Sequence, residues 1–77
     1  NNPSPEDLLI ITQNLSDLLL KIKTLKTEYK TIIRLRYFEE LSYKQISDRL
    51  ELPLNTVKVT LLRAKKVLAQ KITDHEE

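Results

Sequence analysis

A chain of 77 residues has room for one small domain, and a core of that size leaves little depth for a catalytic pocket. It has no cysteine, which excludes disulfides and thiolate metal sites, and its longest apolar runs, residues 8–11 and 18–20, fall far short of the ~20 residues of a membrane span. The net charge of +2 is unevenly placed: residues 1–55 hold eight acids and eight bases, whereas residues 56–72 hold Lys58, Arg63, Lys65, Lys66 and Lys71 and no acid.

Glycine is absent, proline occurs only at Pro3, Pro5 and Pro53, and no sustained alternation or hairpin turn appears. Helical periodicity dominates instead. The first helix is predicted to open at Ser4, a good N-cap, with Pro5 in its first turn and Glu6 and Asp7 at the positive end of the dipole. Leu8, Ile11, Leu15, Leu18, Ile22 and Leu25 recur at spacings of three and four and mark one buried stripe. Leu9, Ile10, Leu19 and Leu20 widen it, either into a generous core or into a second face that meets a partner. Asn14 and Ser16 are weak helix formers and offer a break. A second helix follows over about residues 28–39, with Thr27 as N-cap and Ile32, Ile33, Leu35 and Phe38 available for burial.

The stretch "LSYKQISDRLELPLNTVK", residues 41–58, then packs two helical patterns close together. Ser42 caps a third helix over about residues 43–50, with Ile46 and Leu50 one turn apart. Pro53 breaks it and suits the first turn of a fourth helix reaching about Ile72, beyond which lies a polar tail with His75. The expectation is therefore an all-α fold: a small bundle of about four helices forming a single domain over 1–77, with a wingless helix-turn-helix at about 42–72 and the preceding helices at about 4–40.

A helix-turn-helix that enters the major groove needs a last helix with two faces. At 100° per residue, Val57, Leu61, Ala64 and Leu68 gather on one side of the fourth helix. Asn55, Val59, Leu62, Arg63 and Lys66 gather on the other, flanked by Thr56 and Lys58. The positive stripe is thus opposite the core, as phosphate binding requires. Tyr37 and Tyr43 read as packing residues, and Arg34 and Arg36 either as surface charges or as backbone contacts. His75 has no second ligand or nucleophile beside it. No paired carboxylates, glycine-rich phosphate loop or nucleophile–base set stands out, so an enzyme is not expected.

The stretch 29–68 resembles region 4 of bacterial sigma factors, the extracytoplasmic-function type in particular, and the resemblance covers about residues 25–70. It is carried by Leu35-Arg36-Tyr37, Glu39, Leu41-Ser42-Tyr43, Ile46, Pro53, Thr56-Val57-Lys58, Leu61 and Arg63-Ala64. It implies binding to the −35 promoter element, docking on the flap of the RNA polymerase core, sequestration by an anti-sigma factor, a bacterial cytoplasmic location, and no cofactor, membrane or small-molecule substrate. The residues assigned to DNA are Ser42, Tyr43, Lys44, Asn55, Thr56, Lys58, Val59, Thr60, Leu62, Arg63 and Lys66.

Four departures stand against the pattern. Glu51 and Asn55 occupy positions usually held by Gly, Val59 and Thr60 replace Ser-Arg, and Leu62 places an apolar group on the reading face, suited to thymine methyls or to a protein partner. Two other readings remain open. One is the DNA-binding domain of a LuxR-type regulator, which shares the Thr-Val-Lys start. The other is a helical module that mainly binds a protein such as an anti-sigma factor. The chain lacks an initiating Met and any counterpart of region 2, and reads as a domain excised from something longer.

Overall fold

The computed structural model describes residues 3–75, the side chain of His75 excepted. Helices α1 (Pro5–Ile11), α2 (Leu15–Lys23), α3 (Thr27–Ile33), α4 (Tyr43–Leu50) and α5 (Leu54–His75) follow one another, with a π-helical turn over Arg34–Phe38 prolonging α3. No strand occurs among the described residues. The all-α expectation holds, with five helices rather than about four.

The fifth arises because the first helical pattern is two helices. Ser4 and Asp7 form a capping box that opens α1: the Asp7 N–H donates to Ser4 Oγ, and the Ser4 N–H donates to Asp7 Oδ2 at 3.1 Å. At the other end, Thr12 Oγ1 donates back to the Leu8 carbonyl at 2.9 Å. Asn14 then caps α2 by accepting from the Ser16 N–H at 2.9 Å. The intervening turn resets the helical phase, so a stripe counted straight through it fails. Leu8 and Ile11, predicted to be buried, are 49% and 59% exposed; Leu15, also predicted to be buried, is 60% exposed as the first residue of α2, although it shares that helix with the buried Leu18 and Ile22. Ile10 takes their place in the core beside Leu18, Ile22 and Leu25.

Two further expectations shift. Lys26, not Thr27, precedes α3, and it makes no side-chain cap bond. Beyond Ile33 the Glu39 N–H reaches back five residues to the Arg34 carbonyl at 3.0 Å, the mark of a π turn. That extra residue shifts the helical phase, leaving Leu35 buried and Phe38 exposed rather than packed. Glu40 ends the segment in the left-handed region at φ 55°, and the Leu41 N–H closes back on the Leu35 carbonyl at 3.0 Å.

Helix α4 has the bounds its caps dictate. Ser42 and Gln45 form a second capping box, the Ser42 N–H donating to Gln45 Oε1 at 2.8 Å and the Gln45 N–H to Ser42 Oγ at 3.1 Å. Glu51 terminates the helix in the left-handed conformation, φ 56° and ψ 46°, and the Leu52 N–H donates to the Ser47 carbonyl at 3.1 Å, a Schellman ending. Pro53 lies just before α5 rather than inside it, and its carbonyl accepts the Val57 N–H at 3.1 Å. Three residues, 51–53, thus separate the two helices of the motif.

A non-glycine residue at a left-handed position costs about 1–2 kcal/mol, partly offset by the chain entropy that glycine would lose on folding. Glu51→Gly is therefore expected to stabilise the domain by about 0.5–1 kcal/mol, a rise of several degrees in Tm for a domain of this size. Thermal melts of the two proteins check it.

Helix α5 is the spine, packing against α1, α2, α3 and α4. Val57, Leu61, Ala64, Leu68 and Ile72 on its inner side meet Ile10, Ile22, Ile32, Ile33 and Ile46 in one core cluster. No polar or charged residue is fully buried among the described residues. The helix runs on to His75, past the predicted end at Ile72, so Asp74 is helical and the Gln70 amide donates to it at 2.8 Å. Within the predicted polar tail, the side chain of His75 and residues 76–77 lie outside the described residues.

Candidate nucleic-acid interface

The inner and outer sides of α5 separate as the 3.6-residue period requires. Opposite the buried Val57, Leu61, Ala64 and Leu68, the side chains of Asn55, Thr56, Lys58, Val59, Leu62, Arg63 and Lys66 are exposed, with Thr60 half-buried on the flank. Among the described residues Lys58, Arg63 and Lys66 make no ion pair. Their charge is free for an external anion, and Val59 and Leu62 lie between them as exposed apolar surface.

The remaining residues assigned to DNA sit at the start of α4. The capping box uses the N–H groups of Ser42 and Gln45. Those of Tyr43 and Lys44 have no acceptor within the helix, since the first turn has none to offer. Tyr43 is half-buried against the core, with the Arg36 guanidinium over its ring at 5.1 Å, so it is a packing residue whose outer edge faces solvent. Arg36 also donates to the Leu41 carbonyl at 2.9 Å, which fixes it beside α4. Lys44 is exposed and pairs with Asp48 at 3.1 Å along the helix, a contact weak enough for a stronger anion to displace.

An open concavity of about 1040 Å³ brings several of these groups together. The N-cap Ser42, Tyr43 and Lys44 from α4, Lys58 and Lys65 from α5 and Arg36 from the π turn line it together with two acids, Glu40 and Asp7, and α1 is the far wall; its four cations outnumber the two acids. Asn55, Thr56, Val59, Leu62, Arg63 and Lys66 do not line it; they form the separate outer surface of α5. The residues assigned to DNA therefore fall in two places, a hollow with more cations than acids around the start of α4 and an exposed helix face beside it.

Lys65, read from the sequence as part of the positive stripe, is instead taken up inside the protein. Its ammonium lies 3.4 Å from both oxygens of Asp7, with the two side chains only 12% and 24% exposed. Tyr37 donates its hydroxyl to Asp7 Oδ1, and Ser4 Oγ lies 3.0 Å from Oδ2. The cluster ties α1 to the π turn and to α5. The helical wheel carries a signal for it: Lys65 falls about 80° from Val57, on the flank of the buried side, where a neighbouring helix must meet it. Nothing local points to Asp7, which is 58 residues away.

Burial pushes the Asp7 carboxyl up. The hydrogen bonds from Tyr37 and Ser4 and the charge of Lys65 outweigh it and bring the group from 3.8 down to about 2. Burial, then the bond to Asp7, push the Tyr37 phenol up. For a depressed carboxylate the stabilisation is fully present above the unfolded value and is lost as pH falls through the folded one. The domain should therefore lose stability between pH 3.8 and about 2 through Asp7, and Asp7→Asn should flatten that limb of a Tm-against-pH curve. Equal slopes for the two proteins would remove Asp7 as its source.

The profile of the family described as Sigma-70, region 4, matches residues 15–68. The chain is 33% identical over 70 residues to the ECF RNA polymerase sigma factor SigW of Bacillus subtilis (strain 168), covering 91% of this chain and 37% of that protein. From the same organism, RNA polymerase sigma factor YlaC is 34% identical over 73 residues, 95% of this chain and 42% of its own. RNA polymerase sigma factor SigV is 38% identical over 61 residues, 79% and 37%. The chain thus spans about two fifths of the length of these relatives. No solved structure matches it. With the profile covering the helix-turn-helix together with α2 and α3, the chain belongs to the sigma-70 region 4 family, in its extracytoplasmic-function branch.

Proposed function

We propose that α4 and α5 bind the −35 element of a promoter, with the outer face of α5 in the major groove, and that the chain does so as region 4 of a sigma factor in transcription initiation. The observation that carries this reading is the division of α5: a fully buried inner side, and an outer side bearing three cations free of ion pairs among the described residues. A major groove about 12 Å wide admits a helix of about 10–12 Å, and the N-terminal residues of a recognition helix meet the base edges. Asn55, Thr56 and Val59 hold that place, with Thr60, Leu62, Arg63 and Lys66 farther along. Val59 and Leu62 offer methyl groups to thymine. Ser42, Tyr43, Lys44 and Lys58 grip the phosphates around the start of α4.

Its partners on this reading are double-stranded promoter DNA, the RNA polymerase core through its β flap, and an anti-sigma factor, all in a bacterial cytoplasm. Leu8, Ile11, Leu15, Leu19 and Leu20 give α1 and α2 exposed apolar surface for the protein partners. No helix among the described residues is long and apolar enough to cross a membrane. The −35 specificity and the polymerase and anti-sigma contacts draw on the family and on relatives named as sigma factors. The helix geometry supports only the DNA-binding part.

Fluorescence anisotropy with a −35-containing duplex and a scrambled one tests the reading. Few cations face the groove, so binding should be weak in isolation, with a log–log salt slope of about 0.9 for each phosphate neutralised. The promoter duplex should bind tighter at every salt concentration. Equal affinity for both duplexes, unchanged by salt, would leave a protein-binding module as the better account.

A further inference from the structure

Lys65 lies two turns beyond Lys58 on the same flank of α5, and both line the basic hollow with Arg36, Ser42 and Lys44. It is nevertheless the one cation there that an acid grips at two oxygens in a largely buried setting. The acid comes from α1, outside the helix-turn-helix, and Asp7 itself lines the hollow. From this geometry we infer that Asp7 is a brake on DNA binding: it holds Lys65 away from phosphate and presents its own negative charge to the same surface. This inference rests on the DNA-binding reading above.

Lys65 can neutralise a phosphate only by leaving both Asp7 oxygens, which strands a partly buried carboxylate next to the nucleic acid. Exchanging one anion for another releases no net counterion, so Lys65 adds nothing to the salt slope while Asp7 is present. Asp7 is also held in place by Tyr37 and Ser4, so its carboxylate stays behind when Lys65 turns toward a phosphate. Removing the carboxylate charge frees one cation two turns from Lys58, at a spacing of about 10 Å along the helix. That distance lets the two reach different phosphates of the same duplex, whose charges lie about 1.7 Å apart along the axis.

The test measures anisotropy of a labelled mixed-sequence duplex of about 20 base pairs between about 50 and 200 mM salt, for the full 77-residue chain. Four proteins are compared: wild type, Asp7→Asn, Lys65→Met and the double variant. Asp7→Asn should bind several-fold tighter at the low end and steepen the slope by about 0.9. Lys65→Met alone should leave the slope unchanged, and the double variant should lose the gain.

Unchanged affinity in a folded Asp7→Asn overturns the inference. So does a gain that survives in the double variant, which carries the wild-type net charge and has no Lys65 to release. A slope shallower by about 0.9 in Lys65→Met would mean that Lys65 already holds a phosphate, and this arm stands even if Asp7→Asn is too unstable to assay. Wild-type protein that binds no duplex at any salt overturns the DNA-binding reading instead, so the two failures are distinct.

Discussion

Leu61→Asp is expected to abolish folding, whereas Leu62→Asp, one residue on, should leave a folded domain that holds DNA much more weakly. Leu61 is 1% exposed in the middle of the core cluster and Leu62 is 48% exposed on the outer face. Burying a leucine contributes about 1.5–3 kcal/mol, the cavity left by truncating it raises the loss to about 2–5 kcal/mol, and an unpaired carboxyl in apolar surroundings adds several more. A domain of this length is stable by about 4–12 kcal/mol in all. The helical signal of Leu61→Asp should accordingly be absent or melt without cooperativity.

At position 62 the same substitution removes little buried area, so Tm should move by a few degrees at most. Its charge, however, sits between Val59 and Lys66 on the surface assigned to the major groove. Affinity for the −35 duplex should fall by roughly tenfold or more through repulsion from phosphates. Circular dichroism melts and anisotropy on the same two proteins decide the matter. If Leu61→Asp melts like the wild type, the two sides of α5 are reversed and the interface assigned here is wrong.

Arg63→Ala and Lys58→Ala should both weaken binding, but only Arg63→Ala should change which sequence is preferred. Lys58 stands near the start of α5 and lines the hollow beside Ser42 and Lys44, where the proposed docking puts the backbone of the duplex. Its loss should lower affinity for promoter and scrambled duplexes alike and make the salt slope shallower by about 0.9. Arg63 is exposed on the opposite flank of the outer face and does not line the hollow. A guanidinium there has the fork geometry to take guanine O6 and N7 together, a contact worth about 1–3 kcal/mol of discrimination, or a factor of roughly 5 to 150. The quantity to measure is the ratio of affinities for the two duplexes in each variant. A ratio unchanged by Arg63→Ala assigns that residue to phosphate, and a ratio changed by Lys58→Ala brings the start of α5 closer to the bases than proposed.

The helix-turn-helix is legible in the sequence because short-range interactions determine it. Ser42 and Gln45 close a capping box within one turn, and Pro53 cannot continue a helix, so α4 has the bounds read from its residues. The two sides of α5 follow from the period alone, since Val57, Leu61, Ala64 and Leu68 return to one side whatever they meet there. At Glu51 the glycine usual in the family pattern is the sequence signal for the left-handed turn found there.

The surroundings of that motif are decided by tertiary structure. A helical wheel holds only while the helix is continuous. The capped turn before Asn14 and the π turn at Arg34–Phe38 each shift its phase, so Leu8, Ile11 and Phe38 are exposed and Ile10 is buried. The fate of Lys65 lies further still from local reading. By composition it is one more cation in an acid-free stretch. Only the packing of α1 against α5, across 58 residues of chain, brings Asp7 to within 3.4 Å and turns that charge inward. Caps and periods act over three to five residues and are written in the sequence. The pairing of charges between helices depends on which faces meet, and that is settled when the core closes.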